Sequence, residues 1–94
     1  MTLAELHALR YMDMVYIDTY ETILKKFPPP AGGRYPDIPF GFVEAMRQYC
    51  GKDITYSGGA KFTVGDLGLN ICGFSWPIEI VHLNNNIVRN IPKL

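Results

Sequence analysis

Pro39-Phe-Gly-Phe-Val-Glu-Ala-Met-Arg-Gln-Tyr-Cys-Gly-Lys52 is the stretch on which the fold turns. Within it Phe42, Val43, Met46, Tyr49 and Cys50 recur at intervals of three and four, so a short helix would carry them along one side. Gly51 stands just past the last periodic residue, where glycine takes the left-handed conformation that closes a helix at no steric cost. Lys52 to Tyr56 then leaves as a strand. The spacing predicts a helix over 39–51 whose apolar side plugs a small sheet.

Downstream the texture changes to short apolar runs broken by turn residues. Asp53–Tyr56, Lys61–Val64, Leu69–Cys72 and Ile78–Leu83 read as strands, separated by Ser57-Gly58-Gly59, by Gly65-Asp66-Leu67-Gly68 and by Gly73. Strands this short and closely spaced close most economically as a small barrel, which also removes exposed edges. Asn84-Asn85-Asn86 marks a further turn, and Ile87–Ile91 adds a last strand stopped by Pro92.

Upstream, Thr2 and Glu5 have capping-box spacing, which predicts a first helix over about residues 3–11. Val15, Tyr16 and Ile17 favour a strand after it, though a continuous helix from Leu3 to Lys26 competes. Asp18-Thr-Tyr-Glu21 has the spacing of a second capping box and opens a helix through Ile23, Leu24 and Phe27. Phe27-Pro-Pro-Pro-Ala-Gly-Gly-Arg-Tyr-Pro-Asp-Ile-Pro-Phe40 is a long loop, because consecutive prolines remove donors and favour extended backbone while Gly32-Gly33 permits a reversal. Such loops are functional, or they are packed connectors, here stapled by Tyr35, Ile38 and Phe40.

Size and charge bound the rest. The chain has 94 residues, 48% of them hydrophobic, which suits one domain over residues 1–94 with a single core. Nine basic and nine acidic residues cancel and are scattered, so no electrostatic footprint for nucleic acid is present. No apolar run reaches the roughly 18 to 20 residues that cross a bilayer, and the start carries an acid and no basic leader. The expectation is a cytoplasmic protein with no membrane partner. Cys50 and Cys72 lack metal spacing and read as small buried hydrophobes, with a disulfide between them left open.

Phe42-Val-Glu-Ala-Met-Arg-Gln-Tyr-Cys-Gly-Lys52 followed by a strand, then Phe74-Ser-Trp76 before Ile78-Glu-Ile-Val81, resembles a set of small, mostly uncharacterised phage and bacterial proteins with a Src-homology-type small β-barrel. The strand around Met14 to Asp18 is similar to the first barrel strand of that set, and Pro77-Ile-Glu-Ile-Val81 to the three-ten turn before its closing strand. The resemblance covers about residues 12–83. It implies an α+β fold, a small β-barrel of about five short antiparallel strands decorated by two or three short helices. It also implies a phage or prophage setting and host cytoplasm, where such proteins bind and modulate or inhibit a host or defence protein.

Catalytic and metal signatures do not emerge. His7 and His82 lie far apart with no His or Cys pair at ligand spacing, so no metal site is expected. Ser57 and Ser75 sit in no nucleophile elbow, and Gly65-Asp66-Leu67-Gly68 lacks the spacing of a phosphate loop. Cys50 or Cys72 with His82 is the one conceivable thiol pair. Aromatic residues remain: six tyrosines, five phenylalanines and one tryptophan, the residue types that anchor interfaces at low entropic cost.

Some of these belong outside. Arg34, Tyr35, Tyr56, Phe74 and Trp76 are the binding candidates, either as an exposed surface or as a satellite cluster holding the Pro-rich loop at 28–39. The leading expectation is a non-enzymatic protein-interaction module without cofactor. A small-ligand pocket is the alternative, with Trp76 or Tyr35 stacking on a nucleotide base and Arg34, Arg47 or Lys52 taking phosphate. Third is a self-associating structural protein, a homodimer with its aromatics in a twofold interface.

Overall fold

A computed structural model describes residues 1–63, 65 and 67–84. The expected strand at Ile87–Ile91, most of the Asn84–Asn86 turn, Val64 at the end of the Lys61 strand and Asp66 in the Gly65–Gly68 turn lie outside the described residues. The elements run α1 (Leu3–Ala8), β1 (Met14–Ile17), α2 (Tyr20–Lys26), a three-ten helix (Glu44–Tyr49), β2 (Asp53–Thr55), β3 (Lys61–Phe62), β4 (Gly68–Ile71), β5 (Phe74–Pro77), a three-ten turn (Ile78–Ile80) and β6 (Val81–Leu83). This is an α+β chain.

The strands form two three-stranded antiparallel sheets, in the orders β2-β1-β6 and β3-β4-β5. In the first, Val15 pairs with Ile54 and with Leu83, and Tyr16 with Asp53 and His82. Alternation along β1 turns Val15 and Ile17 inward, leaving Met14 and Tyr16 half-buried on the other face. In the second, β4 and β5 are joined by Cys72-Gly73, both at positive φ (57° and 78°), as a two-residue hairpin turn requires. The two sheets contribute to one core, in which Leu6, Ile17, Ile23, Leu69, Trp76 and Ile80 are fully buried.

Local chemistry explains most boundaries. Thr2 Oγ1 accepts from the Glu5 N–H at 3.1 Å while Glu5 Oε1 accepts from the Thr2 N–H at 2.8 Å, so the capping box is present. α1 stops at Ala8 rather than near residue 11, because an Arg10–Asp13 turn follows, with Asp13 N–H donating to the Arg10 carbonyl and Asp13 Oδ2 accepting from the Arg10 N–H. α2 is capped by Thr19, which accepts from the Thr22 N–H, and not by Asp18. Asp18 is buried and its carboxylate is occupied by tertiary partners, Lys26 and His82.

The expected 39–51 helix is shorter and tighter. Met46 N–H donates to the Val43 carbonyl and Cys50 N–H to that of Arg47, the three-residue steps of a three-ten helix. Phe42 reaches the core from the extended segment before it and Met46 from its middle, whereas Val43 is 51% exposed. Gly51 has φ 73° and donates to the Ile17 and Asp18 carbonyls, tying the helix end to β1. The expected strand at Ile78–Leu83 is divided: Ile78–Ile80 is the three-ten turn that the resemblance implied, and only Val81–Leu83 is extended. Phe74–Pro77, assigned no strand from sequence, is β5.

Candidate functional site

The connection from α2 through the Pro-rich loop to the three-ten helix gathers an aromatic cluster. Phe42 lies between Tyr20 (ring centroids 5.5 Å) and Tyr35 (5.9 Å). The Arg47 guanidinium sits 4.4 Å over the Tyr20 ring, a cation–π contact, and Arg47 Nη1 is 3.9 Å from Glu44 Oε1. Tyr35 donates its hydroxyl to Glu44 Oε1 at 3.1 Å, and Tyr20 donates to the Arg34 carbonyl at 3.2 Å. Two of the predicted residues, Arg34 and Tyr35, are therefore brought to one place. Arg34 is exposed and Tyr35 half-buried.

Beside it in the chain the backbone is strained. Gly41 N–H donates to the Ile38 carbonyl at 3.1 Å, closing a turn with Pro39 and Phe40 at its centre. Phe40 has φ 72°, the left-handed region that side chains other than glycine and asparagine rarely adopt. The residue is 40% exposed; its ring lies 5.4 Å from the Phe62 ring and covers Gly68 so closely that a Cβ there would meet it at 2.5 Å. The loop is thus a packed connector at Ile38, while Phe40 and Val43 remain available to solvent.

Three other predicted residues stand differently. Trp76 is 0% exposed, against the expectation that it lies outside, and donates Nε1–H to the Ile71 carbonyl at 3.1 Å. It stands on β5 opposite the buried Leu69, and that pairing decides its face. Tyr56 is also buried; it follows β2, its hydroxyl donates to the Gly59 carbonyl, and Lys61 lies 5.7 Å over its ring. Phe74 is half-buried between Tyr49 (6.1 Å) and the edge of Trp76 (6.5 Å). For the small-ligand reading, Trp76 is not available to stack on a base, and Lys52 lies at the entry to β2 with its carbonyl paired to Ile17.

Both cysteines are free, and their burial departs from expectation: Cys72 is exposed at the hairpin tip and Cys50 only partly buried. Desolvation pushes the Cys50 thiol up to about 11, opposed by the positive charge of Arg47, and also raises that of Cys72. Neither has the depressed pKa of a reactive thiolate.

A second polar cluster had no sequence signal. Asp18 Oδ2 is 2.7 Å from Lys26 Nζ, and Asp18 Oδ1 is 2.7 Å from His82 Nε2; the three residues come from the end of β1, α2 and β6. Lys26 also donates to the Glu79 carbonyl at 2.9 Å. The cluster ties α2 to β6, and 64 residues separate Asp18 from His82, beyond what local spacing reveals.

Among the described residues no cavity is found, no group of His, Cys, Asp and Glu is placed to hold a metal ion, and no helix is long and apolar enough to cross a membrane. Compared with protein-family models, with curated proteins and with solved structures, the chain matches none.

Proposed function

We propose that the chain is a non-enzymatic protein-interaction module whose contact face is the Arg34–Arg47 stretch, centred on Phe40 and Val43 with Tyr35, Arg34 and Arg47 around them. The carrying observation is Phe40, a bulky apolar residue kept in left-handed backbone with two fifths of its surface in water. Strain of this kind costs roughly 1–3 kcal/mol and clusters at functional positions. Large aromatic and arginine side chains are the anchors of protein interfaces, and here Tyr35 and Arg47 are already held in one rotamer by Glu44 and Tyr20, which lowers the entropic cost of docking.

The scaffold in this reading is one small barrel. β5 runs through the Ile78–Ile80 turn directly into β6, joining the two sheets along the chain, and both sheets contribute to one core. The resemblance to phage proteins suggests the partner is a host or defence protein.

The test is affinity capture from bacterial extract with the full chain and two variants. Proteins held by the wild type are expected to remain bound to Leu3→Asp, which places a charge on exposed α1, and to be lost with Val43→Asp. An identical set of captured proteins for Val43→Asp and wild type would refute the proposal. Light scattering on the same samples reports whether the face instead pairs with a second copy.

A further inference from the structure

The Pro-rich loop carries a feature that the Phe40–Val43 face does not use. Pro28 and Pro29 each precede a proline, which pushes their backbone toward extended conformations, and the pyrrolidine rings fix φ of Pro28, Pro29 and Pro30 near about −65°. A polyproline helix has three residues per turn and no internal hydrogen bonds, so its side chains form three edges. Pro29 is half-buried, whereas Pro28 and Pro30 are exposed. Two of the three edges are therefore open to solvent.

Both ends of the ridge are fixed. Phe27 donates its N–H to the Ile23 carbonyl at 2.9 Å and accepts from the Asp37 N–H at 3.3 Å, which closes the loop at its base. Gly33 N–H donates to the Pro30 carbonyl at 2.8 Å across a turn in which Gly32 has φ 79°. With both ends tied and φ restricted by the pyrrolidine rings, the ridge loses less chain entropy on docking than a free segment would. Charge brackets it as well: Lys25 and Arg34 are exposed on either side and form no salt bridge among the described residues, while Lys26 is engaged by Asp18.

We propose that Pro28–Pro30 is a preformed polyproline ligand that docks into an aromatic-lined groove with an acidic rim on a partner protein. Aromatic grooves accept two edges of a polyproline helix, and an acidic rim complements Lys25 and Arg34. This inference shares Arg34 with the Phe40–Val43 face but does not rest on Phe40 or Val43.

The test titrates the isotope-labelled full chain with two purified probes, a WW domain and a Src-homology-type proline-binding domain, each with an acidic rim. Saturable shifts are expected at the amides of Phe27 and Ala31–Tyr35. The double variant Pro28→Ala/Pro30→Ala, which keeps the Pro30 carbonyl for Gly33, should lose at least about tenfold in affinity while its circular dichroism and melting stay those of a folded chain. Arg34→Glu should bind roughly fivefold more weakly at low salt, with the difference shrinking at high salt. No saturable shift with either probe, or unchanged affinity in the double proline variant, would overturn the inference. Val43→Asp should bind the probes as wild type does; loss in Val43→Asp but not in the proline variant would move the contact to the Phe40–Val43 face and refute the ridge.

Discussion

Replacing Phe40 separately by alanine and by glycine isolates the strain on which the binding face is argued. Phe40 is 40% exposed as a whole residue. Full burial of a phenylalanine is worth about 1.5–3 kcal/mol, so removing this partly buried ring costs about 1–2 kcal/mol in either variant. The backbone separates the two. At φ 72° a residue with a Cβ carries about 1–2 kcal/mol that glycine does not. At an ordinary position the order is reversed, because alanine loses less unfolded-chain entropy than glycine by about 0.4–1 kcal/mol. Combining the two terms, Phe40→Gly should be more stable than Phe40→Ala by about 0.5–1 kcal/mol, or several degrees in Tm for a domain this small. Urea unfolding of both variants, with equal m-values confirming the same transition, reads the difference directly. A Phe40→Ala protein as stable as Phe40→Gly, or more so, would remove the strain and with it the principal support for the contact face.

Three further outcomes follow from the packing. Gly59→Ala should destabilise by at least about 2 kcal/mol or prevent folding, since its Cβ would fall 1.8 Å from the Asn70 backbone carbonyl; denaturant midpoints check it. Trp76→Phe should cost about 2–4 kcal/mol through the cavity it leaves and the Ile71 carbonyl it deprives of a donor, measured by thermal unfolding. With the Cys50 thiol raised to about 11 and the side chain partly buried, iodoacetamide at pH 8 should label Cys72 first, and Cys50 only as the pH approaches 11 or the chain unfolds; mass spectrometry of a time course distinguishes the two sites.

Features encoded by near neighbours were legible in the sequence. The Thr2–Glu5 box, the glycine after Cys50, the strand at Val15–Ile17 and the irregular loop after Phe27 each depend on residues within one turn of one another, and each is present. Decisions taken at a distance were not. Asp18 and Thr19 are both good caps, and a histidine from β6 takes Asp18 out of contention. Trp76 before a proline has no local mark of which face of its strand it occupies; pairing with β4 sets that.

The site was half legible for the same reason. Arg34 and Tyr35 could be named as candidates because they sit in the loop itself, whereas Tyr20 and Arg47 join them only through the fold. Phe40 was read as a staple and not as a strained, exposed ring, because nothing in Pro39-Phe40-Gly41 announces a left-handed phenylalanine where a turn would normally place glycine.

The proposed contact face rests on a division of the aromatic side chains, with Trp76 in the core and Phe40 partly exposed. Because only one tryptophan is present, its fluorescence reports that division without ambiguity. Iodide quenching of the folded full chain should leave a blue-shifted emission almost untouched, with quenching appearing only on denaturation. Red-shifted emission that iodide quenches as readily in the native protein as in the unfolded one would place Trp76 at the surface and contradict the core, the hairpin register and the assigned face together.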